Sequence, residues 1–339
     1  MRIRDGTSAT GIRKPRTTLC YRYPASSDVI LREMPATWDP SFRPSFYARW
    51  GRENCIISAR TRRCEYPQFR QRLSIKAAWG GREDYLVDHR RVAVDDDSFL
   101  IMNEGRSYGS EVHSRASITS FSIFFRPHMA PDVLHALTSS PERLLEHPAP
   151  LRSANVEFSE RLRPHDRLVS PVLRFIRHHV EAGIDDETWY EEQLFFLLTR
   201  MLALHRKDAV IECRVAASRP ATRGELFRRV GRAVDFIHTH YAKPIGLGEI
   251  ATAAQLSPYH CLRVFKTVQG CSPREFLARK RMRVAMRLLR ASTLPLREVA
   301  ALAGFQSRST LFRKLRASGE SDDRRRMEAL HAQEAQHDE

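Results

Sequence analysis

The residues in this chain whose types and spacing suit a chemical task are cations set among small polar and aromatic side chains. One group is Pro258, Tyr259, His260, Arg263 and Lys266; the other is Arg308, Ser309, Phe312, Arg313, Lys314 and Arg316. Presented by a helix, such side chains offer guanidinium forks and hydrogen-bond donors to a polyanionic groove. Arginine near the start of a helix pairs bidentately with guanine in the DNA major groove, while other cations meet phosphate. The motifs of bond-making chemistry are missing: the sequence has no P-loop, no H-E-x-x-H, no G-x-S-x-G and no dinucleotide-binding glycine fingerprint. Its six cysteines (Cys20, Cys55, Cys64, Cys213, Cys261 and Cys271) form no C-x-x-C pair. That argues against a zinc ribbon and a disulfide framework, and for a reducing compartment. His89 and His113 stand isolated, without the H-x-H core of a metal-binding β-domain. No catalytic residue, cofactor or metal is expected.

Each cationic group sits on the second of two short helices. Ser257-Pro258 opens the first such helix, with serine as N-cap and proline at the first helical position, followed by Leu262 and Phe265. Ahead of it come Leu247-Gly248-Glu249-Ile250-Ala251 and a turn at Ala254-Gln255-Leu256. This is the outline of a helix-turn-helix, and it recurs. Leu296-Arg297-Glu298-Val299-Ala300 matches the earlier pentapeptide, and Ser307 caps a helix bearing Leu311 and Leu315. Gly304-Phe305 makes the second turn, where glycine supplies the left-handed backbone. The expected cores of the two units contain Ile250, Ala251 and Phe265, then Val299, Ala300, Gly304 and Phe305. A helix face of Leu226, Val230, Ala233, Val234, Ile237 and Tyr241 precedes the first unit. Pro273 to Arg290 reads as one long helix bridging the units, and its Arg279, Lys280, Arg281, Arg283 and Arg287 are assigned to phosphates or internal ion pairs.

Charge follows the same division. The 339-residue chain carries +16, and its length suits two or three cores. Residues 224–316 hold 18 basic and 5 acidic side chains, whereas residues 71–223 hold 21 and 22. Residues 1–70 hold 14 and 6, and the tail from 317 holds 3 and 7. Charge alone allows RNA, DNA or membrane as partner; its position on a repeated helix-turn-helix narrows that to double-stranded DNA. No apolar run is long enough to cross a bilayer and no apolar signal core opens the chain. A cytoplasmic, nucleoid-associated protein with no membrane contact is expected.

The remaining chain divides by composition. Residues 1–65, rich in Arg, Ser, Thr and Pro, read as a disordered basic leader. Short runs rich in β-branched and aromatic residues follow: 73–77, 85–87, 91–94, 98–102 and 117–125. Gly80-Gly81, Asp95-Asp96-Asp97 and Asn103-Glu104-Gly105 mark turns between them. Helical periodicity begins near Asp132. Ser170-Pro171 opens one helix that Gly183 ends, and Asp186 caps the next, striped with Trp189, Tyr190, Leu194, Leu197, Leu198, Met201 and Leu204. This pair within 170–205 offers a homodimer surface beside its role as core. The expected domains are 66–213 (β-domain plus helical pair, regulatory and dimerising), 214–223 (linker), 224–318 (DNA binding) and 319–339 (acidic tail).

On these residues, 225–316 resemble the DNA-binding domain of AraC/XylS transcriptional regulators. The resemblance is carried by S-P-Y-H-C-L-R-V-F-K-x3-G-C-S-P from Ser257 to Pro273, by Arg281-Met282-x2-Ala285-x2-Leu288-Leu289, and by Val299-Ala300-x3-Gly304-Phe305. It implies that each second helix enters one of two successive major grooves, that Arg263 and Arg313 occupy the family's arginine positions, and that RNA polymerase is a partner. Gln255 departs from the glycine common in the first turn, Leu315 replaces an aromatic, and the usual G-x-[ST]-P-x-x-[YF]-R ending is missing. Residues 66–213 resemble, more loosely, a cupin-like regulatory half with room for a small organic effector. The expected fold is α+β and multidomain: a cupin-like N-terminal β-domain with helices, then an all-α domain of two helix-turn-helix units joined by a long helix. The expected function is sequence-specific regulation of transcription at promoters. The alternatives are a metal-dependent cupin-type enzyme with a DNA-binding tail and a non-specific architectural DNA-binding protein.

Overall fold

The computed structural model describes residues 29–34, 48–147, 156–217, 219–292 and 294–318. The acidic tail and most of the expected leader lie outside the described residues. An N-terminal sheet-rich domain is followed by a helical C-terminal domain. The strands are β1 (Ile30–Leu31), β2 (Cys55–Arg70), β3 (Ser74–Trp79), β4 (Arg82–Val87), β5 (Arg90–Asp95), β6 (Ser98–Met102), β7 (Ser107–Phe124) and β8 (Leu162–Pro164). They form one sheet in the order β1-β2-β7-β3-β6-β8, with β4 pairing both β5 and β7. The β1–β2 pair is parallel and the other pairs are antiparallel.

The organising strand is β7. Along one edge it pairs with β2 for nearly its whole length. Along the other, its C-terminal half pairs with β3 and its N-terminal half with β4. Register shifts at Thr61/Arg63 and Tyr66/Phe69 bend the β2–β7 ribbon, as bulges do. The result is a curled sheet with a pocket between β2, β3, β4 and β7. β2 begins at Cys55, inside the segment expected to be a disordered leader. Its buried start (Cys55, Ile56, Ala59) pairs with β7, but from Arg60 most side chains stay exposed, so that half reads as polar and patternless. The Ser107–Ser114 half of β7 buries Tyr108, Gly109, Ser110 and Val112, but its serines and glycine carry no apolar alternation, and it precedes the expected strand.

β6 is buried at every residue, and the period-two geometry of a strand explains why. Phe99 and Ile101 join a cluster with α3 (Ser170–Glu181) and α4 (Glu187–Cys213), including Val172, Leu173, Ile176, Leu194 and Leu198. Leu100 and Met102 point the other way, into a cluster with α5 (Pro220–His240), including Val230, Ala233, Val234 and Ile237. Two short helices, α1 (Met129–Thr138) and α2 (Pro141–Glu146), follow the sheet. Asp186 caps α4 as expected, accepting from the Trp189 N–H at 3.0 Å. Ser170 does not cap α3. Asp166 Oδ1 accepts from the Leu168, Val169 and Ser170 N–H groups, because it lies where the free amides converge. The expected linker 214–223 is also shorter, since Pro220 already begins α5.

Candidate nucleic-acid interface

Two helix pairs form the candidate interface: α6 (Leu247–Ala253) with α7 (Pro258–Gln269), and α9 (Leu296–Leu302) with α10 (Arg308–Ser318). α8 (Pro273–Ala291) runs between them. The repeat extends to single hydrogen bonds. In the first turn the Leu256 N–H donates to the Ala251 carbonyl at 2.9 Å; in the second, the Phe305 N–H donates to the Ala300 carbonyl at 2.8 Å. Gln255 (φ 55°) and Gly304 (φ 80°) hold the same left-handed position. Gly304 is required: a Cβ there would lie 2.5 Å from the Tyr241 carbonyl oxygen and 2.8 Å from the Ala242 Cα. Gln255 adopts the strained conformation and is held by two arginines. Arg232 donates to its Oε1 and Arg229 to its carbonyl, both at 2.9 Å.

Serine caps start the reading helices. Ser257 Oγ accepts from the His260 N–H at 3.4 Å and Ser307 Oγ from the Thr310 N–H at 3.2 Å. A fuller capping box, Ser272 with Glu275, fixes the start of α8. α7 buries Cys261, Val264, Phe265 and Val268 in a core shared with Ile250 and Ala251. α10 buries Leu311 and Leu315 against Val299, Ala300 and Phe305. The opposite faces carry the cations. Pro258, Tyr259, Arg263 and Lys266 are exposed on α7, as are Ser309, Arg313, Lys314 and Arg316 on α10. Tyr259 is 76% exposed, unusual for a large aromatic ring. Neither reading helix contains an acidic residue. Three expected contacts are less open: His260, Arg308 and Phe312 are half-buried. Phe312 packs against the second unit's core, with the Arg316 guanidinium 5.7 Å from its ring centroid.

The bridging helix resolves the choice between phosphates and internal pairs for three cations. Lys280, with no exposed surface, donates to Asp95 at 2.6 Å and Asp97 at 3.0 Å on the β5–β6 turn. Arg287 pairs with Asp97 at 3.0 Å and lies 3.7 Å from Asp96. Arg281 donates to the Tyr241 and Lys243 carbonyls, each at 2.7 Å, fixing the chain that leads into α6. Arg279 and Arg283 line a groove of about 880 Å³ that α8 forms with Asp97 and Pro164. Sequence reasoning took Asp95-Asp96-Asp97 only as a turn; three successive acids opposite a basic helix were the available signal for docking. Sequence reasoning named Arg281 for phosphates or internal ion pairs, and its partners are main-chain carbonyls instead; Glu249 was read only as part of the repeat, and its Oε2 accepts from the Gly246 N–H at 2.8 Å. Among the described residues there is no cluster of three or more metal-ligating side chains, and no helix is long and apolar enough to cross a membrane.

Comparison with known proteins agrees with this geometry. Residues 250–318 match a family model described as a helix-turn-helix domain. The chain is 28% identical over 136 residues to a protein of Photobacterium leiognathi named "Probable transcriptional regulator LumQ", covering 36% of this chain and 55% of that one. It is 30% identical over 157 residues to the HTH-type transcriptional activator RhaS of Klebsiella pneumoniae, covering 44% and 53%. The chain therefore spans about half the length of these relatives. Among solved structures, the DNA-binding domain of AdpA in complex with a target DNA aligns at 26% identity and a TM-score of 0.28, covering 32% of this chain and 97% of that one. The C-terminal domain is a helix-turn-helix domain of the AraC type.

Proposed function

We propose that the chain is a sequence-specific, DNA-binding transcriptional regulator that reads a promoter through both helix-turn-helix units. The observation that carries this is the two-sidedness of α7 and α10: each buries one apolar face in its unit and leaves an acid-free, cationic face exposed. In this reading Pro258, Tyr259, His260, Arg263 and Lys266 work in one major groove and Arg308, Ser309, Phe312 and Arg313 in the next. Arg263 and Arg313 read guanine, while the other cations fix register on phosphates. Affinity then falls steeply with salt as counterions are released.

The sheet-rich half is the regulatory, cupin-like domain, spanning the region from about 66 to 213, with a small organic effector in its pocket. The α3–α4 surface supports a homodimer, since Phe175, Phe195 and Phe196 are each more than 40% exposed there. RNA polymerase is the protein partner, the site of action is the cytoplasmic nucleoid, and the mechanism is binding without bond-making chemistry. The test is genome-wide mapping of bound sites, followed by mobility-shift titration on the recovered sequences. A recurrent motif bound in preference to scrambled DNA is the expected result. Uniform occupancy without a motif would instead favour an architectural protein.

A further inference from the structure

The two fully buried lysines among the described residues live in opposite environments. Lys280 is closed off between Asp95 and Asp97. Lys76, on β3, is 2% exposed and has no carboxylate within ion-pair distance among the described residues. What surrounds its amine is aromatic: Nζ lies 3.6 Å from the Phe124 ring centroid and 5.2 Å from that of Tyr108. A cation–π contact returns less than the desolvation of a buried ammonium costs. Burial therefore holds the Lys76 amine well below the ordinary lysine range, with Glu83 as the opposing influence. Burial likewise raises the Glu83 carboxyl. Without a close ion pair, a neutral amine facing a neutral acid is the favoured state. Arginine could not fill this role, because it keeps its proton in any protein environment.

Both groups line one cavity of about 50 Å³ beneath the β2–β7 ribbon. Glu83 Oε2 and the Tyr85 hydroxyl there have no well-formed hydrogen bond among the described residues, although Ser110, Ser120 and Ser122 stand close by. Buried polar atoms left unpaired beside a void mark a place where a ligand completes the hydrogen bonding. At about 10–15 Å³ per water-sized group, the void holds about three to five non-hydrogen atoms.

We propose that this cavity captures a small aldehyde, of two or three carbons, as an imine on Lys76. The proposal rests on the reading of the sheet-rich half as the effector-sensing domain and gives that effector a chemical class. The Lys76 nitrogen attacks the carbonyl carbon, and a proton passes from nitrogen to oxygen to give a carbinolamine. Glu83 then protonates the hydroxyl, the C–O bond breaks and water leaves. The product is a protonated imine opposite the Glu83 carboxylate, a pair that replaces two unpaired neutral groups. Nothing is oxidised or reduced, and the only by-product is water. Tyr85 donates to the carbonyl oxygen during attack.

The test is reductive trapping on the full chain. The protein is incubated at neutral pH with acetaldehyde and cyanoborohydride, and its seven lysines are mapped by peptide mass spectrometry. Lys76 should gain an ethyl group on the order of tenfold faster than exposed Lys207 and Lys243. The Glu83→Gln variant, checked for folding by circular dichroism, should slow labelling at Lys76 alone. Labelling of the exposed lysines with Lys76 unmodified would overturn the proposal. Operator affinity is measured in parallel to separate the two readings. A Lys76 adduct with unchanged DNA binding supports the covalent site and removes the effector role of the domain.

Discussion

At the residue scale the two turns pose the same backbone demand and meet it differently. Gly304 satisfies a left-handed position without cost, and backbone atoms of Tyr241 and Ala242 occupy the space a Cβ would need. Gly304→Ala is expected to destabilise the protein by about 2 kcal/mol or more, read as a lower urea midpoint at unchanged m. Gln255 takes the same conformation with a side chain, a strain of about 1–2 kcal/mol. Gln255→Gly relieves it but gives up the Arg232 contact, so the net change should stay within about 1 kcal/mol of zero. At the reading face, Arg263→Ala and Arg313→Ala should each reduce discrimination between cognate and scrambled DNA by roughly 1–3 kcal/mol. Equal loss on both DNAs in a mobility-shift titration would assign these arginines to phosphates instead.

At the element scale, α8 is tied to the β5–β6 turn through buried charge. Burial alone would raise the Asp95 carboxyl, but Lys280 and His238 hold it down at about 2. A carboxyl lowered on folding contributes stability that is present above its unfolded value near 3.9 and lost as pH falls through about 2. Lys280→Met strands Asp95, while Asp97 keeps Arg287, and should cost about 3–5 kcal/mol, part of it recovered by adding Asp95→Asn. α5 carries the opposite case. Asp235 accepts from the Leu162 N–H at 2.7 Å and pairs with Arg90 at 3.1 Å, yet burial raises its carboxyl to about 6. A raised carboxyl stabilises below its unfolded value and loses that contribution as pH rises through 6. Asp235→Asn should therefore gain about 2 kcal/mol relative to the natural chain between pH 4 and pH 7. Paired thermal melts at the two pH values check the sign.

At the scale of the whole molecule, the apolar clusters do not follow the expected domain boundary. One contains Tyr85, Val92 and Leu100 of the sheet together with Val234 of α5 and Phe265 of α7. The first reading unit thus shares a core with the sheet-rich half. The second unit has a core of its own, from Val284 to Leu315, with Tyr241 packed against both. Such an arrangement predicts two levels of local stability. Amide exchange in α9 and α10 should be faster than in α7, which opens only with the larger body. Equal protection in the two units would contradict the separation of cores.

The sequence by itself determined what depends on near neighbours along the chain. The caps at Ser257 and Asp186, the turns at Gly304 and Asn103-Glu104-Gly105, and the two-faced pattern of α7 and α10 are local, and each was legible from spacing. Long-range pairing was not. The polar halves of β2 and β7 became strands because each found the other, and their serine, glycine and charged residues left no apolar alternation to mark a strand. Likewise, no spacing could show that Lys280 meets Asp95 across 185 positions of sequence, or that Lys76 has no carboxylate within ion-pair distance among the described residues. For both lysines the amino acid is the same and the surroundings differ. Whether a buried amine is a locked cation or a free nucleophile is decided by which carboxylates the tertiary fold brings within reach.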